Sequence, residues 1–282
     1  MASDLRTRAV LAPSMLLLIG VIYWLDVGQH LGGKQGALSA GVLGLLGLAG
    51  AWEYAALLRG AGFAVARTML LGASALLHVL AMYFIWHRID NELYPMVGLT
   101  LLLLFPLAVR SLGRSNMQRG LEEQGGTLLG FLFVSWQVYL GQGICFRHLP
   151  SLLYVVLVCK GGDIGGYCLG RLFGRRKLIP HISPGKTVEG ALGSLLSSVL
   201  LAWSLRGPLL AGLPVGTVAA VGMGIVLNVT TQTGDLVESL LKRRCGAKDS
   251  SRLLPAHGGV LDLVDSLLFS FSAWFLFLVW LT

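Results

Sequence analysis

Residues Leu38–Leu58 read LSAGVLGLLGLAGAWEYAALL, an apolar run whose one charged side chain is Glu53. A helix rises about 1.5 Å per residue, so a run of this length crosses roughly 30 Å of hydrocarbon. Gly41, Gly44, Gly47 and Gly50 form a stripe of small residues, which lets membrane helices approach closely. Working outward, comparable runs lie at Ala9–Leu25, Thr68–Trp86, Leu93–Val109, Thr127–Gly143 and Leu152–Leu169. Three more follow at Thr187–Leu205, Leu209–Val229 and Ser266–Leu281. The sixth and seventh runs are weaker in hydropathy, because they carry charges or many small residues. With 55% of 282 residues hydrophobic and 13% charged, a water-soluble chain could not hide its apolar surface. The expectation is an all-α, polytopic integral membrane protein with about nine transmembrane helices.

The basic residues orient it. With the N-terminus cytoplasmic, only Lys34, Arg88, Arg147 and Arg206 of the 22 Lys and Arg fall on the outside, and Lys160 falls within a span. The remainder lie inside, as the positive-inside rule requires. The bulky Val21, Ile22, Tyr23 and Trp24 follow the first run where a small-residue cleavage site would stand, so this run reads as a retained helix. A net charge of +8 could suggest nucleic acid, but topology accounts for much of it, and no nucleic acid partner is expected. Cys145, Cys159, Cys168 and Cys245 show no CxxC pairing, which argues against a disulfide framework or a zinc site.

The chain divides by character into N-terminal transmembrane helices over 1–125 (about four spans) and a C-terminal transmembrane region over 126–282 that carries the chemical motifs. In the first part His78 reads as a hydrogen-bonded interior residue and Arg110–Gly126 as an ordinary polar loop. Glu53 is open between snorkelling, pairing with a cation and facing a polar cavity. In the second part Lys160 and Asp163 share one helical face inside the sixth run. They can neutralise one another, or line a cavity or pathway.

Between the sixth and seventh runs stands Ser183-Pro184-Gly185-Lys186-Thr187. A P-loop reading fails, because Pro180 occupies the place of its first glycine and no strand precedes it. A Pro-Gly turn entering a helix, with Lys186 alongside, still makes a plausible anion site.

The richest segment, Gly234–Asp265, reads GDLVESLLKRRCGAKDSSRLLPAHGGVLDLVD. Asp235, Glu238 and Ser239 lead into Lys242 and Arg243; Lys248, Asp249, His257-Gly258-Gly259, Asp262 and Asp265 follow. Carboxylates beside cations ordinarily form salt bridges. Phosphoryl chemistry needs the same ingredients, with hard oxygens to hold Mg²⁺ and cations to neutralise phosphate. Asp262 and Asp265 share a helical face at the start of an apolar run, which is hard to explain as solvated surface.

This segment closely resembles the signature of CDP-diacylglycerol synthases, also called phosphatidate cytidylyltransferases. The elements in register are Ser239, the Lys242-Arg243 pair, Lys248-Asp249, Pro255, His257-Gly258-Gly259, Asp262 and Asp265. Upstream, Asp163–Tyr167, Gly170–Gly174 and Ser183–Thr187 are also similar to family motifs, and the likeness extends over Val158–Leu268. Leu263 stands where the family most typically has Arg, and Arg252 is the available substitute.

The resemblance implies transfer of CMP from CTP to phosphatidic acid, with release of pyrophosphate. It implies Mg²⁺ as cofactor and leaves a second cation open. It assigns Asp235, Asp262 and Asp265 to the metal, and Lys186, Lys242, Arg243 and Lys248 to phosphates. Asp249 would orient Lys248, and His257 would shape the pocket. Asp163, Ser183, Thr187, Ser239, Gly258 and Gly259 are implied in substrate binding. Implied too are a bacterial cytoplasmic membrane, a site facing the cytoplasm and, as a common arrangement for such enzymes, a homodimer. The competing readings are a CTP-dependent kinase of a polyprenol or other lipid alcohol, a transporter or lipid-binding protein, and an inactive paralogue.

Overall fold

The computed structural model describes residues 20–28, 35–87, 93–251, 253 and 258–281. Helical residues 20–27 precede α1 (Ala37–Gly60), α2 (Arg67–His87), α3 (Leu93–Leu112) and α4 (Met117–Gly130). A π-helical stretch, Phe131–Trp136, leads into α5 (Gln137–Phe173). An antiparallel hairpin of β1 (Lys177–Ile179) and β2 (Ser183–Thr187) follows, then α6 (Val188–Leu209), α7 (Thr217–Arg244) and α8 (Val260–Leu281). The protein is therefore all-α and polytopic, with one small hairpin where the sequence suggested only a turn.

Among the described residues, six helices are long and apolar enough to cross a membrane. One of them is the 57-residue stretch Met117–Phe173, which takes in the fifth and sixth expected runs. It is broken at His148, whose φ of −161° and ψ of 89° are not helical. Pro150 is the cause, since it lacks an N–H and clashes with the carbonyl four residues back. The eighth expected run becomes α7, which starts later, at Thr217, and continues to Arg244 through polar residues. The first expected run lies in part outside the described residues. Outward side chains such as Leu101, Leu102 and Phe105 of α3 are apolar, as a lipid-facing surface should be.

The chain forms two compact units. The first comprises the described residues up to Phe146 together with Cys245–Val264; the second comprises Arg147–Arg244 and the residues from Asp265 onward. Cys245–Val264 thus packs with the N-terminal helices although it follows α7 of the second unit in the chain.

In the first unit buried polar groups cap and tie helices. Asp26 accepts hydrogen bonds from the backbone N–H groups of Gly36 (3.0 Å), Leu38 (3.3 Å) and Ser39 (2.8 Å), which satisfies the start of α1. The glycine stripe of α1 backs onto His78 of α2 and Val138 of α5. His78 meets Gln142 Oε1 at 2.9 Å, and the Gln142 amide donates to the Ala40 carbonyl at 2.9 Å, so His78 is the interior residue expected. The expected loop at Arg110–Gly126 is mostly helix. Asn116 caps α4 through the Arg119 N–H, and buried Glu123 takes both Arg110 and Arg114 (3.1 and 2.7 Å). Glu123 thereby ties the α3–α4 corner, while Arg119 and Glu122 stay exposed.

In the second unit α6 and α7 make the most extensive helix pair. Asn228 of α7 donates to Ser194 (2.7 Å) and Ser198 (3.1 Å) of α6, an interhelical bond of the kind that fixes register in lipid. Thr187 ends β2 and caps α6, its hydroxyl accepting the Gly190 N–H at 3.1 Å.

Candidate active site

In the second unit, Asp235 and Glu238 are three residues apart on α7 and so share one face. Asp265 of α8 joins them, and the three offer carboxylate oxygens that all lie within 4.8 Å of one another. Gly234 makes the approach possible, because a Cβ there would strike the Asp265 carbonyl oxygen. Glu238 is fully buried, Asp265 is 6% exposed and Asp235 is half-buried. Three carboxylates this close are unfavourable together unless cations share them. Two lysines do so: Lys186, from β2, pairs with Asp235, and Lys242 pairs with Glu238 one turn along α7.

The set consists of hard oxygen donors, clustered and at Glu238 and Asp265 buried, and such a set can coordinate a metal ion. Its two ammonium partners sit on flexible stems, so they can give way to an ion or turn towards a substrate anion.

The surroundings support this cluster. Lys160 Nζ lies 2.7 Å from Ser266 Oγ, beside Asp265, and 3.9 Å from Asp163. The Lys160–Asp163 pair is therefore loose, and the shorter contact of Lys160 is to the hydroxyl. Arg243 donates from Nε to the Ile182 carbonyl at 3.2 Å, and Lys177 donates to the Pro184 carbonyl at 2.7 Å. These bonds hold the hairpin that carries Lys186. Ser183 stands opposite Ile179 in that hairpin, and Ser239 is half-buried on α7. Thr187, expected at a substrate, uses its hydroxyl to cap α6.

The first unit contains the rest of the signature. Asp262, in the first turn of α8, accepts at Oδ2 from Ser250 N (2.8 Å), Ser250 Oγ (2.6 Å) and Gly259 N (2.8 Å). This carboxylate closes a loop, whereas the sequence grouped it with Asp235 and Asp265. Gly258 turns the loop at a φ of +89°, and a Cβ there would meet Asp262 Oδ2 at 2.7 Å. Gly259 is buried, while Lys248 and Asp249 are exposed on the loop's outer side. His257, Pro255 and Arg252 lie outside the described residues.

Two acidic residues have larger parts than the sequence assigned. In the sequence Glu238 is only a flank of the signature, although its spacing of three from Asp235 signals a shared face. Glu53 of α1, open to several readings in sequence, grips the signature loop alongside Asp262. Its Oε1 accepts from Ser251 Oγ (2.6 Å) and Val260 N (3.0 Å), and its Oε2 from Leu261 N (2.7 Å) and Ser250 Oγ (3.2 Å).

The model of the cytidylyltransferase family matches residues 6–281, which takes in both of these centres. The chain is 40% identical over 127 residues to the uncharacterized protein YnbB of Escherichia coli, covering 45% of this chain and 42% of that protein. It is 39% identical over 152 residues to a phosphatidate cytidylyltransferase of Bacillus subtilis, covering 50% and 55%. The chain thus spans about half the length of these two curated relatives. A phosphatidate cytidylyltransferase of Pseudomonas aeruginosa aligns over 249 residues at 36% identity, covering 83% of this chain and 84% of that protein. A match this long, running through the carboxylate cluster and the signature loop alike, places the chain in the cytidylyltransferase family, among the phosphatidate cytidylyltransferases.

Proposed function

We propose that this protein transfers the cytidylyl group of CTP to phosphatidic acid, giving CDP-diacylglycerol and pyrophosphate. The observation that carries the reading is the cluster of Asp235, Glu238 and Asp265 with Lys186 and Lys242 paired to it, in a chain of this family. The phosphate of phosphatidic acid is already an anion, so its attack on the α-phosphorus of CTP needs no strong general base. An oxygen–phosphorus bond forms there, the bond from the α-phosphorus to the bridging oxygen breaks, and pyrophosphate leaves. The protein's tasks are to align the partners and to neutralise charge.

Asp235, Glu238 and Asp265 would hold Mg²⁺, which supplies Lewis-acid neutralisation of phosphate oxygens when bound. Lys186 and Lys242 exchange their carboxylate partners for phosphate oxygens as substrate enters. Arg243 keeps the hairpin in place and, with Lys248, adds to the positive field that draws in CTP. Asp163 and Lys160 form a polar step within α5 suited to a lipid headgroup. The multi-spanning fold and its relatives point to a bacterial inner membrane. The reading further includes nine spans, a cytoplasmic N-terminus and a site open to cytoplasmic CTP, supported by the distribution of Lys and Arg.

The test is a transfer assay with purified protein in detergent, CTP labelled in its α-phosphate, phosphatidic acid and Mg²⁺. Label should enter the lipid phase and cease to do so with EDTA. A phosphorylated lipid alcohol with release of CDP would replace this reading with that of a CTP-dependent kinase.

A further inference from the structure

Glu53 lies in α1, in the part of the chain whose sequence carries no phosphate chemistry, and it is fully buried. A carboxylate within an apolar helix is costly, and a helix needing only to pack would carry an apolar side chain there. Among the described residues, Glu53 meets four neutral donors. All four come from one short segment, Ser250 to Leu261, at the centre of the signature. Two are the backbone N–H groups of Val260 and Leu261, at the start of α8, where a negative charge is favoured by the helix dipole. The other two are the hydroxyls of Ser250 and Ser251. Ser250 Oγ also reaches Asp262 Oδ2, at 2.6 Å against 3.2 Å to Glu53, so its single proton is shared between the two carboxylates with the shorter contact to Asp262. The gap at Gly259 is so small that a Cβ would run into both Glu53 and Ser250.

We propose that Glu53 is the positioning residue for the signature loop. It acts through Ser250, Ser251 and the first turn of α8 to hold Lys248, Asp249 and Asp262 in their working arrangement for CTP. The inference rests on the cytidylyltransferase reading for its kinetic consequence, and on geometry alone for the restraint itself. Each Glu53 oxygen accepts one backbone N–H. An amide in either flip would therefore set its NH₂ against a backbone N–H, so Glu53→Gln keeps shape and volume but cannot keep the grip.

The experiment compares wild type, Glu53→Gln, Ser251→Ala and the double variant, purified in detergent. It reads steady-state kinetics in CTP and in phosphatidic acid, and hydrogen exchange of the loop amides. Glu53→Gln should lose about 10- to 100-fold in kcat/KM for CTP, the range for a group that orients a reactive shell. Exchange protection should fall at Ser250 to Leu261 and hold within α1. Ser251→Ala, which gives up one hydrogen bond, should lose about fivefold and fold normally. The double variant should be no worse than Glu53→Gln, since both act through one restraint. Wild-type kcat/KM in Glu53→Gln, or an activity loss matching only the fraction unfolded, overturns the proposal. If Glu53→Gln does not fold, unchanged loop exchange and kinetics in Ser251→Ala overturn it. If wild type itself transfers no label, the cytidylyltransferase reading fails, and unchanged loop exchange in Glu53→Gln then overturns the restraint separately.

Discussion

Two sets of carboxylates in this protein are satisfied in opposite ways. Glu53 and Asp262 of the first unit accept hydrogen bonds from backbone N–H groups and serine hydroxyls, short-range dipoles fixed by the chain. Asp235, Glu238 and Asp265 of the second unit lie against one another and are balanced by lysines on long stems. In the first arrangement the donors are fixed by the chain and would be lost by moving. The second holds like charges together with partners that can leave, which suits a site where ions and phosphates come and go. Acids that serve structure should therefore cost stability when removed, and those that serve chemistry should not.

The sharpest break is Asp265→Asn. It takes one charge from a crowded set, so turnover should fall by about a hundredfold or more, as when a group that neutralises transferring phosphate is lost. Stability in metal-free detergent should hold or rise by about 1 kcal/mol, because one like-charge contact has been relieved. Thermal unfolding and label transfer measured on one preparation decide it. A variant that loses both activity and stability would put Asp265 with Glu53, among the structural acids, and erase the contrast.

Lys186→Met gives the next largest effect. Turnover should drop roughly tenfold to a hundredfold, with loss of one electrostatic donor. Without divalent cation the variant should also unfold at a lower temperature, because Asp235 has lost its partner. Added Mg²⁺ should then raise its unfolding temperature more than it does for wild type, since binding to the folded state stabilises by mass action. Equal shifts in the two proteins would mean that Lys186 is not held at the cation-binding carboxylates.

What could be read in the sequence follows from the range of the interaction. Apolar runs declare themselves through hydropathy, and the Asp235–Glu238 face through a spacing of three. The break at His148 could be read from Pro150. Glu53 could not be assigned, because its partners lie about two hundred residues along the chain and no local pattern points to them. Asp262 and Asp265 look equivalent in sequence, since both follow the Gly-Gly pair on one helical face. Their difference comes from what each meets: Asp262 the loop N–H groups, Asp265 the face of α7 at Gly234. The hairpin was hidden for another reason. Ser183-Pro184-Gly185-Lys186-Thr187 has poor strand propensity and is held as β2 by its pairing with β1, by Lys177 on the Pro184 carbonyl and by Arg243 on the Ile182 carbonyl just before it.

Thr187 gives the smallest and most discriminating test, because its hydroxyl caps α6 while its neighbour Lys186 faces the carboxylates. Thr187→Ser keeps the oxygen and should leave both stability and turnover close to wild type. Thr187→Ala strands the Gly190 N–H and should cost about 1 kcal/mol of stability, as loss of a cap does. It should change the turnover of the folded protein by less than about threefold, within the reach of a slightly shifted Lys186. Thermal unfolding separates these outcomes from a binding role. A Thr187→Ala protein of full stability whose KM for CTP rises tenfold would mean that the hydroxyl leaves its cap to meet the nucleotide, and that the mobile set of groups extends from the lysines into the helix start.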